Sequence, residues 1–245
     1  AIANPLAGIE KAKVQNYADS VESIRERNRK IDAMAEVIRK HVPKLDAKYL
    51  DPNINTLDRQ IGHSEVLLGA LISGLTNVVA FTVDELGHRY TGIPGIEGEK
   101  VNMHDVGHNK SIGGLSAETI RDRARTHHMA VIDRIVKRLK SEPEGDGTMF
   151  DNTMLFYFPD GGETHHSHGW EYPFIILSGD NARVDLRRRY IRLPNYGQPG
   201  HSTLGNFYTT LLNAYGNPIE HYGALDTGLT KFGHGQTGPI KQFQS

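Results

Sequence analysis

Three short runs of continuous apolar character, set among segments with helical periodicity, constrain this chain most. They are Val78-Val79-Ala80-Phe81-Thr82-Val83, Thr153-Met154-Leu155-Phe156-Tyr157-Phe158 and Phe174-Ile175-Ile176-Leu177-Ser178. Continuous apolarity of this length suits a strand buried on both faces of a parallel sheet. The segments around them read as helices. Ile9, Val14, Tyr17, Val21, Ile24, Ile31, Met34, Ile38 and Val42 recur at three- and four-residue steps or close multiples, until Pro43 stops the pattern. The charged run Ser23 to Lys30 on this helix reads as a solvated face. A second helix is expected at about 56–75, with Leu57, Ile61, Leu68, Leu71, Ile72 and Leu75 as its buried stripe. A third is expected from an N-cap at Ser116, carrying Ile120, Ala124, Val131, Ile135 and Leu139. A last one starts near His201 or Ser202.

Strands alternating with helices predict an α/β fold with a largely parallel sheet flanked by helices. The expected organisation is one α/β domain over 1–245, or the C-terminal part of a larger one. A helical segment 1–75 precedes a sheet core 76–216, and a Gly-rich, weakly patterned tail 217–245 follows. In such sheets ligands sit beyond the carboxyl ends of the strands. The polar segments after Val83 and after Phe158 leave strand ends of that kind.

Composition removes several functional classes. The formal net charge of −1 gives no overall pull toward nucleic acid, and no stretch approaches a membrane span. Cysteine is absent, which excludes disulfides, thiolate ligands and cysteine nucleophiles within the chain. The start, Ala1-Ile2-Ala3-Asn4-Pro5, carries no signal-peptide pattern and reads as the beginning of a processed product.

Histidine is the compositional anomaly: 13 residues, in clusters. Imidazole is the commonest metal ligand among side chains and titrates near neutrality. The strongest constellation is Asp160-Gly161-Gly162-Glu163-Thr164-His165-His166-Ser167-His168. Here one strand-end loop supplies carboxylate and imidazole ligands, and two glycines allow the sharp bend that would bring them together. His104-Asp105-Val106-Gly107-His108 would place its two imidazoles on one face if locally helical. His128 falls on the apolar stripe of the third helix, where a hydrogen-bonded core histidine is the plainer reading. His201 is a weaker candidate ligand or general base. Arg187-Arg188-Arg189 reads as a guard on an edge strand more than as an anion site.

Taken together, these segments resemble domain-of-unknown-function family 1552, exported bacterial proteins placed near the alkaline phosphatase and sulfatase superfamily. The resemblance runs through His104 to His108, His128, Glu144-Gly145-Asp146-Gly147, Leu155-Phe156-Tyr157, and Asp160-Gly161 followed by His166-Ser167-His168. It is clearest over 66–216. Gly169, where the family commonly has an acidic residue, and the position of Pro173 depart from the pattern. The resemblance implies a divalent metal (Zn, Mn, Fe or Ca) held by Asp160, His166 and His168, with His104 and His108 from the facing loop. His165, His128, His201 and Asp105 are further candidates. The implied activity is metal-dependent hydrolysis of phosphate or sulfate esters, in a periplasmic or extracellular setting. In that superfamily the first metal-binding strand and the nucleophile lie upstream of the matched part. The expected partner is therefore the protein's own N-terminal part or another subunit. The rival expectation is a non-catalytic exported assembly subunit that reuses the fold.

Overall fold

The computed structural model describes residues 8–83, 88–159, 172–184, 186–233 and 235–243. Helices carry most of the regular structure among these residues: α1 (Gly8–Ala33), α2 (Ala35–His41), α3 (Thr56–Ile72), α4 (Met103–Gly107), α5 (Ala117–Ser141), α6 (Leu204–Ala214) and α7 (Thr227–Thr230). The strands are short: β1 (Arg89–Tyr90), β2 (Val101–Asn102), β3 (Pro143–Glu144), β4 (Gly147–Thr148), β5 (Met154–Tyr157) and β6 (Ile175–Ser178). They pair as three separate two-stranded antiparallel sheets, β1 with β2, β3 with β4, and β5 with β6.

This overturns the expected largely parallel sheet flanked by helices. The second and third apolar runs are each other's partners, with Leu155 opposite Leu177 and Phe156 opposite Ile176. Leu155 and Leu177 pack into a cluster with Leu68 of α3 and Val131, Ile135 and Leu139 of α5. Met154, Phe156, Phe174 and Ile176 pack into another with Phe207 of α6. A sheet covered on both faces needs apolar residues at every position, and strand direction leaves no trace in that pattern. The first run, Val78 to Val83, forms no strand. Val78 is 83% exposed, and Phe81 is the residue of this run that reaches the core cluster.

α5 is the spine of the fold. Ser116 caps it by accepting the Thr119 N–H at 3.1 Å. Ile120, Ala124, His128, Val131, Ile135 and Leu139 then bury one stripe at steps of three and four residues. Each large apolar side chain on that stripe contributes roughly 1.5–3 kcal/mol of burial. α3 lies alongside in the same direction, with His127 set against the Leu57 backbone and Arg134 paired with Glu65. α4 sits on the first turns of α5, where Val106 is fully buried with Ile93, Val101 and Ile120.

The first helical segment is divided in two. α1 ends at Ala33, and after a break at Met34 α2 continues and packs on α3. Its end before Pro43 follows the expected stop. The C-terminal segment, read as a tail, is tied to α6. Asn206 Nδ2 donates to the Gln236 and Gly238 carbonyls, both at 2.8 Å, and Ile240 and Phe243 enter the cluster around Phe207. Arg187 and Arg188 lie in a turn, Arg187 pairing with Asp180. Among the described residues no helix is long and apolar enough to cross a membrane.

Candidate functional site

His104 and His108 come together because the segment holding them is one helical turn. Asn102 caps it, accepting the His104 N–H at 3.0 Å, and the His108 N–H closes the turn on the His104 carbonyl. Buried Val106 anchors the turn, and its carbonyl accepts from Arg121 of α5 at 2.9 Å. Positions four apart share a helix face. The two Nε2 atoms accordingly stand 3.2 Å apart, with ring centroids at 4.8 Å and planes at 73°. Gly107 is accommodated as the last residue of this short turn.

A separation of 3.2 Å suits two chemistries. One neutral imidazole can donate to the other, or two lone pairs can converge on a cation. At metal–nitrogen distances of about 2.0–2.1 Å, two ligands of a tetrahedral ion lie about 3.3 Å apart. The pair therefore fits as two ligands of one metal. Asp105 does not join it, since its carboxylate lies 3.3 Å from Lys110 Nζ. Among the described residues there is no group of three His, Cys, Asp or Glu side chains placed to hold a metal ion. Asp160, His165, His166 and His168 lie outside the described residues.

His128 sits seven residues beyond Arg121 on α5, about 10 Å along its axis. It is 4% exposed, and its Nδ1 lies 3.0 Å from the Tyr157 hydroxyl at the end of β5. Among the described residues its Nε2 is buried without a hydrogen-bond partner. Burial lowers its pKa to about 4, with smaller contributions from His127 and Arg125, so the ring is neutral at pH 7. Burial also lowers the pKa of His127, opposed by the Leu57 backbone and the Asp58 carboxylate. Gln60 of α3 donates to the Val83 carbonyl at 2.5 Å, and the Tyr90 hydroxyl donates to the same carbonyl. Val83 and Tyr157, near the ends of two of the apolar runs, thus each meet a buried polar side chain, Gln60 of α3 and His128 of α5.

His201 belongs elsewhere. Its ring bonds the Pro194 carbonyl through Nδ1 at 2.9 Å and meets the edge of Tyr196 at 5.5 Å, while Tyr196 donates to Asp226 at 2.9 Å. Reading residue types missed Tyr157, Gln60 and the inward set of His127. Tyr157 was within reach: period two along β5 puts it on the same face as Leu155, which packs toward α5. Compared with known proteins, the chain matches no family model, no curated protein and no solved structure.

Proposed function

We propose that this chain binds a divalent metal through His104 and His108, joined by Asp160, His166 and His168, and takes part in hydrolysis of phosphate or sulfate esters. The observation supporting the reading is the 3.2 Å approach of the two Nε2 atoms on a turn held from both ends. Imidazole ligands favour Zn, Mn or Fe over Ca, which takes oxygen ligands. A bound ion of this class polarises an ester oxygen as a Lewis acid. The protein's own part is positioning. Arg121 and the Asn102 cap fix the turn that carries the pair. His128, kept neutral by burial, adds no positive charge to compete with a cation. The ester chemistry and the ligands after Phe158 rest on the resemblance to the exported family.

Elemental analysis of the natively purified protein tests this, beside the His104→Ala/His108→Ala and His166→Ala/His168→Ala double variants. One or two equivalents in the wild type, lost from both variants at unchanged helical circular dichroism, is the expected result. Metal-free wild-type protein would overturn the proposal. Metal lost from the second variant but kept by the first would take the site off α4. Bound metal without turnover of aryl phosphates or aryl sulfates would sink the hydrolase reading and leave the assembly role.

A further inference from the structure

α1 is a 26-residue helix, about 39 Å long, with no fully buried residue among those described: Val14, Val21 and Ile31 are half-buried and the others are exposed. Its neighbour in the fold is α2, which turns away onto α3. A helix with this composition gains little from propensity alone, since most helical stability in proteins comes from packing an apolar face. Ion pairs along it, such as Glu22 with Arg29 at 2.9 Å and Glu26 with Lys30 at 3.0 Å, are exposed and contribute little.

The apolar face of α1 has a period of 3.5 residues. Val14, Tyr17, Val21, Ile24, Asn28 and Ile31 fall on alternating steps of three and four, the first and fourth positions of consecutive heptads. Tyr17 is 73% exposed and Ile24 49%. A strict heptad seam is narrower than the stripe a helix shows to a globular core, and it is what a supercoiled helix partner requires. We infer that α1 pairs with α1 of a second copy of this chain as a parallel, in-register, two-stranded coiled coil.

Asn28 argues for a second copy over an apolar partner. It stands at a first heptad position, where an asparagine facing its own counterpart can satisfy both amides and select two parallel strands in register. Against an apolar surface the same amide would be left unpaired. The flanking charges point the same way. In the parallel pairing Arg27 faces Asp32 of the second copy, twice by symmetry, and no like charges meet across these flanks. In the antiparallel pairing the row Lys13, Ser20 and Arg27 would face its own copy, cation against cation.

Sedimentation equilibrium of the whole chain over a wide concentration range tests the inference. The expected result is a reversible monomer–dimer equilibrium. Val21→Asp/Ile24→Asp should abolish it, Ala12→Gln on the opposite face should leave it unchanged, and Asn28→Val should tighten it at least tenfold. Orientation is read from Val14→Cys in a chain that has no other cysteine. Parallel in-register helices give a disulfide-linked dimer in a glutathione buffer, whereas antiparallel helices hold the two thiols far apart. A wild type that stays monomeric throughout overturns the inference. So does a dimer that survives Val21→Asp/Ile24→Asp, or one whose Val14→Cys form does not cross-link.

Discussion

His128 offers a quantitative check on the interior of the fold. Its pKa is lowered by burial from 6.5 to about 4. Below pH 6.5 the unfolded chain therefore takes up a proton that the folded chain refuses, and stability falls as pH falls. Above the unfolded value the contribution is flat, and below about pH 4 it levels off again. Between those limits each pH unit costs up to about 1.4 kcal/mol. The loss from this group is thus about 2 kcal/mol between pH 7 and pH 5, and about 3 kcal/mol by pH 4. Replacing His128 by glutamine removes the titrating group and keeps a polar side chain near the Tyr157 hydroxyl. The assay is urea unfolding of wild type and His128→Gln at pH 7, 5 and 4, read as the change in unfolding free energy with pH. The variant starts less stable at pH 7, yet its decline on acidification should be shallower by the amounts above. His127, whose lowered pKa acts in the same direction, is present in both proteins and cancels in the comparison. Parallel pH profiles would refute the argument, because they would mean that His128 accepts its proton without unfolding.

Two further substitutions probe the packing that positions the candidate site. Ile120, fully buried between α4 and α5, should cost about 2–5 kcal/mol as Ile120→Ala, seen as a lowered urea midpoint, and should loosen α4 first in hydrogen exchange. Gly179 lets the end of β6 touch the turn at 149–152, where a Cβ would overlap the Phe150 carbonyl and the Asp151 backbone. Gly179→Ala should therefore destabilise by about 3 kcal/mol or more, and a thermal midpoint equal to wild type would contradict the contact.

How far the sequence was legible depends on whether a pattern is local. α5 was readable because its cap, its stripe and the inward place of His128 all follow from the helix's own spacing. β5 and β6 were readable as strands for a similar reason. Their pairing direction was not, because two-sided burial produces the same apolar run in a parallel sheet and in an antiparallel pair packed between helices. Val78 to Val83 shows the converse error. β-branched residues there satisfied the strand pattern, but among the described residues no neighbouring strand supplies a ladder, and Val78 stays in water. α4 stayed open in the sequence because one turn is too short for periodicity to register, and its stability lies in the Asn102 cap and the contact to Arg121. The partners of His128 were invisible for another reason. Tyr157 lies 29 residues away and meets it only after β5 packs onto α5.

That last contact bears on what the histidines can do. Within the described residues they divide by solvent access. His104 and His108 sit on a half-buried to exposed turn, where a cation can be taken up without desolvating a charge in the core. His128 is sealed, and its neutral ring can orient a neighbour or offer a nitrogen, but it cannot deliver a proton at pH 7. A general acid or base acting at neutral pH must therefore be another group. If ester hydrolysis is found, its rate near neutrality should be insensitive to whether position 128 can titrate. His128→Gln should then lower activity through the placement of its neighbours and leave the neutral limb of the pH–rate profile where it was. A shift of that limb in the variant would show that His128 exchanges its proton during turnover and would reverse this division of roles.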